Sequence, residues 1–307
     1  MKIRNGYASV FVLIHAFSVF LLATGLFFKI SALKKSVLSD SEYVLKSEEM
    51  QNKIHEFLKQ STFFDFYERE FKKDNVLLKI KSLNTKVNPN FLDDDYLTVF
   101  TDARDFDPFK RKNAEGSFYD FSEIKTEADY SDFFSNLPSV NINLCNQTLL
   151  EEFMKIMKTE PLFILEKITN MRKKKQQIQN DDFLEEILGL YHDALFPFLN
   201  CIPPVDVRYA DEKILKKIMQ VEKFGTKNAL LYEELLSLRN QGGNIEPQFL
   251  KLLSRFDSKA VKLLGCRTYF WKITAFNERF SVSETVYVPQ IQGGHKYLIE
   301  KKAGKNE

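Results

Sequence analysis

Val140-Asn141-Ile142-Asn143-Leu144-Cys145-Asn146 has two counterparts in this chain, Val87-Asn88-Pro89-Asn90-Phe91-Leu92-Asp93 and Val205-Asp206-Val207-Arg208-Tyr209-Ala210-Asp211. Each copy runs on to an apolar pair at a matched offset, Leu149-Leu150, Tyr96-Leu97 and Ile214-Leu215, and then to Phe153, Phe100 and Ile218. An extended lead-in that ends in Asn or Asp offers a side-chain oxygen to the first free amides of a helix. The apolar positions that follow recur at helical spacing and so face a core. The pattern predicts an extended segment, a cap and a half-buried helix, three times over.

Downstream of the third copy the periodicity changes. Thr268 to Phe276 alternates aromatic and polar residues, Asn277-Glu278-Arg279 supplies a turn, and Phe280 to Val288 is rich in β-branched residues. Gly293-Gly294 then separates a last candidate strand at Lys296 to Ile299. Val76 to Ile80, before the first copy, is a candidate partner strand for this meander. Helical and strand patterns segregated in this way predict an α+β fold.

At the other end, Lys2 and Arg4 precede Gly6, and an almost uninterrupted apolar run extends from Tyr7 to Ile30. About 20 apolar residues span a bilayer as a helix, so the run predicts a membrane-inserted amino terminus. Lys29, Lys34 and Lys35 follow it, so charge flanks both ends and gives no clear orientation. The run is longer than a secretory h-region and no A-x-A-like site follows it. Residues from about Ala32 to Phe64 are rich in helix formers, and Tyr43, Met50, Ile54, Phe57 and Leu58 recur at helical spacing. A long helix is expected, bare at one end and half-covered at the other. Ser39 with Glu42 reads as a capping box, at which the helix either restarts or continues as one rod.

Arg4-Asn5-Gly6 followed by Tyr7-Ala8-Ser9-Val10-Phe11-Val12-Leu13-Ile14 resembles the class III leader of pilins and pseudopilins, which is cut after the glycine; an uncleaved signal anchor is the alternative. With Lys86-Val87-Asn88-Pro89-Asn90, Val140-Asn141-Ile142-Asn143-Leu144-Cys145 and Arg267-Thr268-Tyr269-Phe270-Trp271-Lys272-Ile273, nearly the whole chain resembles general secretion pathway protein K, the large minor pseudopilin of type II secretion. Leu144-Cys145 stands where that family usually has Thr-Ala, and the acidic tryptophan-containing stretch expected near Thr101 to Tyr119 is not evident. The resemblance implies a pilin-like long N-terminal helix packed on a small antiparallel sheet, with a large, mostly α-helical domain inserted between strands. Its expected organisation is a leader (1–6), the membrane part of the helix (7–30), its periplasmic part (31–70), a first strand and entry (71–104), the inserted domain (105–264) and C-terminal strands (265–307).

The same resemblance implies cleavage between Gly6 and Tyr7 by a prepilin peptidase, a methylated mature terminus, and a single-pass inner-membrane protein with its head in the periplasm. Expected partners are other minor pseudopilins, the inner-membrane secretion platform and secreted cargo. Typical pilins carry a glutamate at the fifth mature position; here that position is Phe11. His15 is an ionisable group within the apolar run and is expected to face protein rather than lipid.

No catalytic signature is present. With 307 residues and a net charge of +2, the chain can bury an ordinary core and is no polycation, so nucleic-acid binding is not indicated. G-x-S-x-G, Walker and H-E-x-x-H motifs are missing, and His15, His55, His192 and His295 are scattered. A hydrolase would need His192 with Asp181 or Glu185, residues that no motif ties together. Cys145, Cys201 and Cys266 form no C-x-x-C pair; Cys145 and Cys201 can bridge in an oxidising compartment, or all three stay as buried thiols. Asp93-Asp94-Asp95 and the set Asp102, Asp105 and Asp107 concentrate the ligands that hard cations prefer. Calcium is the one cofactor the resemblance implies, with Asp102, Asp105 and Asp107 its candidate ligands; a solvated acidic loop is the plainer reading. Arg172-Lys173-Lys174-Lys175 reads as an exposed helix end or as a contact for an acidic partner.

Overall fold

The computed structural model describes most of the chain between residues 41 and 305, with residues 28, 29, 31, 33 and 34. Residues 1–27, 35–40, 102–129, 157–161, 175–180, 190–194, 290–295 and a few shorter stretches lie outside the described residues. Helix α1 (residues 41–60) buries one stripe: Met50 and Ile54 completely and Phe57 nearly so, with Tyr43, Ser47, Gln51 and Leu58 half-buried alongside. Each large apolar side chain so buried contributes about 1.5–3 kcal/mol. The helix ends at 60, short of the Phe64 expected, because the amide and hydroxyl of Thr62 both donate to Asp65 Oδ2, at 2.6 and 2.8 Å, and fold Phe63–Asp65 into a 3-10 turn.

A hairpin follows, β1 (Arg69–Lys73) and β2 (Val76–Ser82), registered from Arg69 opposite Ile80 to Lys73 opposite Val76. The Val76 strand is present as expected. β1 was hidden in the sequence by its charge: Arg69, Glu70, Lys72 and Lys73 suit an edge strand, where charge also discourages further pairing.

Three parallel bridges organise the residues after β2. Val87 bridges Phe134, β3 (Val140–Asn141) pairs with β4 (Leu199–Asn200), and β5 (Val205–Asp206) pairs with β6 (Leu264–Gly265). Each opening residue is the valine of one sequence copy. Each closing residue stands six positions before the next start: Phe134 before Val140, Leu199 before Val205, and Leu264 before Phe270, where the chain re-enters the main sheet. Parallel pairs require a crossover, and helices supply it: α2 (Asp94–Leu97) in the first copy, α3 (Gln147–Ile156), α4 (Leu162–Lys173) and α5 (Asp181–Leu188) in the second. The third copy has α6 (Glu212–Ile218), α7 (Val221–Phe224), α8 (Thr226–Gln241) and α9 (Glu246–Leu253).

The capping expectation holds at two copies. Asp93 accepts from the Asp94 amide and Asp211 from the Lys213 amide, each at 2.8 Å; Asn146 lies outside the described residues. All nine apolar positions singled out in the sequence are buried. Those of copies one and three share one core, whereas Leu149, Leu150 and Phe153 pack in another with Phe270 and Tyr287 of the sheet.

Three strands complete the sheet: β7 (Phe270–Phe276), β8 (Phe280–Tyr287) and β9 (Tyr297–Lys305). Its order is β1-β2-β7-β8-β9, and the three contacts flanking β7 and β8 are antiparallel. Ile80 stands opposite Ile273, so strands near Val76 and Thr268 are neighbours although residues 83–269 separate them. β9 runs to Lys305, past the Ile299 expected, because its second half (Glu300, Lys301, Lys302) is polar in the way edge strands are. One face of the sheet carries Leu78, Ile80, Trp271, Ile273, Val282 and Val286 against α1.

Two measurements follow. Gly225, between α7 and α8, has φ +61° and ψ −139°, a conformation essentially restricted to glycine, with nothing within 4 Å of an added Cβ. Gly225→Ala should therefore lower stability by about 1–3 kcal/mol in urea denaturation, while Gly304→Ala, on extended backbone with open space around it, should stay within about 0.5 kcal/mol of wild type. The Thr62 amide, and then its hydroxyl, hold the Asp65 carboxyl below the usual aspartate range. A depressed folded-state value means that the turn stabilises the fold above the unfolded-state titration and loses that contribution as pH falls through the folded-state one. Urea midpoints of wild type and Asp65→Asn should differ most near neutrality and converge in acid.

Candidate functional site

Where the helical segment leaves and rejoins the sheet, residues 82–84 cross residues 268–270, and four buried polar side chains meet: Ser82, Asn84, Asp206 and Thr268. Thr268 Oγ1 donates to Asp206 Oδ2 at 2.7 Å, and with its one proton so used it accepts from Ser82 Oγ at 2.9 Å. Asn84 Oδ1 accepts from the amides of Tyr269 and Phe270, at 3.1 and 3.0 Å, while its backbone carbonyl accepts from the Asp206 amide. The two limbs of the crossing and the third copy are thus fastened to one asparagine.

Asp206 is completely buried, and Arg208 compensates its charge. The Arg208 Nε reaches both carboxylate oxygens, at 3.0 and 3.2 Å, and Nη2 reaches Oδ2 at 2.6 Å. Burial works against the guanidinium's charge, but Asp206 outweighs it, so Arg208 holds its proton more firmly than an ordinary arginine. Burial, and then Asp206, push the neighbouring Cys266 thiol well up, which leaves it a poor nucleophile.

Asp206 is the second residue of its copy, and its equivalents do related work. Asn88 Nδ2 donates to the Leu137 carbonyl and Asn141 Nδ2 to the Ile202 carbonyl, each three residues past the bridge that closes its own copy. A carboxylate has no donor for that role; Asp206 instead accepts from Thr268, four residues past its bridge. The Oδ1 atoms of Asn141 and Asp206 also accept from the amide two residues on, at 2.8 and 3.0 Å. The sequence reading assigned a role to the last residue of each copy and missed the second. The run Asn, Asn, Asp at that position was the available signal.

Beside the crossing, a cleft of about 510 Å³ separates copies two and three, with Asn143, Cys201, Phe249, Leu250, Lys262 and Arg267 among its walls. Arg267 is paired with Glu246 at 2.9 Å, which offsets the cationic wall. Among the described residues its lining carries Cys201, Lys262 and Cys266 beside apolar Phe249, Leu250 and Leu264.

Gly6, Tyr7, Phe11 and His15 lie outside the described residues, as do Asp102, Asp105, Asp107 and His192. Asp93 is committed to its cap and Asp95 pairs with Lys259 at 3.5 Å. Among the described residues no group of three or more His, Cys, Asp or Glu converges on a metal position, and no helix is long and apolar enough to cross a membrane. No disulfide joins the three cysteines, of which Cys145 and Cys266 are buried and Cys201 half-buried. Lys173 and Lys174 are exposed at the end of α4, and Glu185 is exposed on α5.

No protein-family model and no curated protein matches the sequence. Among solved structures, the chain is similar to one in the GspK-GspI-GspJ complex from the enterotoxigenic Escherichia coli type 2 secretion system, at 10% identity and a TM-score of 0.35, over 89% of this chain and 99% of that one. Overlap this loose carries no functional argument, and the chain's own residues and topology must supply it.

Removing Asp206 strands a guanidinium and a buried hydroxyl. Asp206→Ala should cost about 3 kcal/mol, the lower end for breaking a buried pair because Arg208 reaches solvent. Asn84→Ala, which leaves two buried amides unpaired, should cost at least about 2 kcal/mol. Urea denaturation followed by the fluorescence of Trp271, the single tryptophan, measures both.

Proposed function

We propose that this chain is a minor pseudopilin of a type II secretion pseudopilus, a structural and binding subunit rather than an enzyme, seated at the tip of the fibre. One observation supports the reading above others: β2 and β7 are hydrogen-bonded neighbours with three bridged helical copies between them, and α1 lies on the same sheet. That is the architecture the sequence resemblance implies. A minor pilin of a type IV pilus or a DNA-uptake machine would share leader and helix; the three copies of the insertion favour the secretion reading over it.

Two physical points favour the tip. An acid at the fifth mature position is tolerable among packed helices only when a neighbouring amine neutralises it, and Phe11 needs no such partner ahead of it. A head enlarged by residues 83–269 would also obstruct packing within a helical fibre but not at its end. On this reading Tyr7 to Phe28 holds the subunit in the inner membrane before assembly, and the insertion contacts other minor pseudopilins or cargo from the periplasm.

Mass spectrometry of the mature amino terminus is the direct test. It should begin at Tyr7 and carry a methyl group; a terminus that retains Met1 to Gly6 would sink the pseudopilin reading in favour of a signal anchor. Co-purification with other minor pseudopilins, rather than with pilus subunits, should then separate secretion from the pilus alternative.

A further inference from the structure

The Arg267–Glu246 pair stands between two hollows. It lines the cleft of about 510 Å³ between copies two and three and also a second pocket of about 390 Å³. Phe64 and Arg208 belong to the second pocket and Lys262 and Leu250 to the cleft, so the hollows meet at the pair and form one groove, with an aromatic ring on one side and a leucine on the other. Both of these apolar groups face solvent: Phe64 is 81% exposed and Leu250 58%. Each hollow falls within the range of about 300–1,000 Å³ usual for binding pockets.

Among the described residues three cations and one carboxylate line the groove, Arg208, Arg267 and Lys262 against Glu246. Glu246 is committed to Arg267, whose Nε and Nη2 both donate to its Oε2, at 3.2 and 2.9 Å. Lys262 is exposed and forms no ion pair among the described residues. Arg208 turns Nε and Nη2 toward the buried Asp206, while its Nη1, which carries two further N–H donors, makes no hydrogen bond among the described residues. Its side chain is 36% exposed. Donors are therefore left over on either side of the central pair, each in a hollow that also holds an exposed apolar side chain.

Such a wall suits carboxylates carried on a chain that also offers apolar side chains. A phosphate chain repeats its charge at every step and would set it against Phe64, Leu250 and Glu246 alike. A polypeptide can place acids opposite Lys262 and Arg208, a neutral residue opposite Glu246 and apolar residues at the two ends. We infer that the groove is a docking site for an extended acidic segment of a partner protein, with apolar residues flanking its acids. Exposed charges set specificity and encounter rate more than raw affinity, so the apolar ends hold the segment and the cations select it. The inference rests on the groove alone and is independent of the secretion reading.

Fluorescence anisotropy of the full chain tests this with a fluorescein-labelled peptide that has phenylalanine at each end and, between them, aspartates separated by serines. The peptide should bind, and added salt should weaken the binding. Affinity should fall about tenfold in K262E and about fivefold in F64S or L250S, while K173E, at an exposed lysine outside the groove, should match wild type. E246Q removes the groove's carboxylate and should bind about threefold more tightly, a gain that a misfolded variant cannot produce. Failure of wild type to bind the peptide, or equal binding of a peptide with lysines in place of the aspartates, would overturn the inference. So would wild-type affinity in K262E, a loss in K173E as large as that in K262E, or a thymine oligonucleotide that displaces the labelled peptide as readily as unlabelled peptide does.

Discussion

Asn84 sits where three parts of the chain must agree. Its side-chain oxygen takes the amides of Tyr269 and Phe270 at the entry to β7, its carbonyl takes the amide of Asp206, and its amide group donates to the Pro204 carbonyl. Buried amides left unpaired cost about 1–3 kcal/mol each, so any shift between the outgoing limb, the returning limb and the third copy is penalised at once. The Asp206 carboxylate adds a second constraint, since burying it is tolerable only with Arg208 and Thr268 in place. Polar groups of this kind contribute direction more than strength: an apolar contact tolerates sliding, whereas these bonds specify one arrangement.

That arrangement explains how a five-stranded sheet accepts so long an insertion. Residues 83 and 270 are hydrogen-bonded, Leu83 N to Phe270 O at 2.9 Å, so the insertion begins and ends at one point and the sheet register does not depend on its length. Within the insertion the same solution recurs on a smaller scale. Each copy opens at a valine, closes on a parallel bridge and hands over six residues later. Closing a loop costs entropy that grows only slowly with length, which lets copies two and three carry several helices where the described part of copy one has one short one.

Much of this was legible. The helical faces were readable because Tyr96, Leu97, Ile214 and Leu215 stand at matched offsets from their caps, β7 because aromatic and polar residues alternate there, and β8 because it is rich in β-branched residues. The edges were not. β1 and the second half of β9 are built from Arg, Lys and Glu, a composition that suits an unpaired sheet edge and a loop equally well. The crossing was illegible for another reason: Asn84, Asp206 and Thr268 are far apart in sequence, and nothing local marks a buried asparagine as a three-way fastening. Glu284 is the sharpest case, since a glutamate at an inward strand position goes against the apolar character of its neighbours on that face.

The two polar clusters divide the work between directions. The Asn84–Asp206 crossing fixes the insertion to one end of the sheet, and the His55–Glu284 contact, 3.2 Å from Nε2 to Oε1, ties α1 across its face, with Trp271 and Ile273 lying in β7 between them. β7 is thus the element through which α1 and the helical insertion are related. It pairs with β2 on one side and β8 on the other, carries α1 on its inner face, and begins at the amides that Asn84 holds. A load applied to α1 would reach the insertion through this strand, since the main sheet is a single hydrogen-bonded unit and the chain passes directly from β7 into the crossing. Keeping α1 and the insertion in fixed register needs that continuity, and the buried polar groups stand at its two ends.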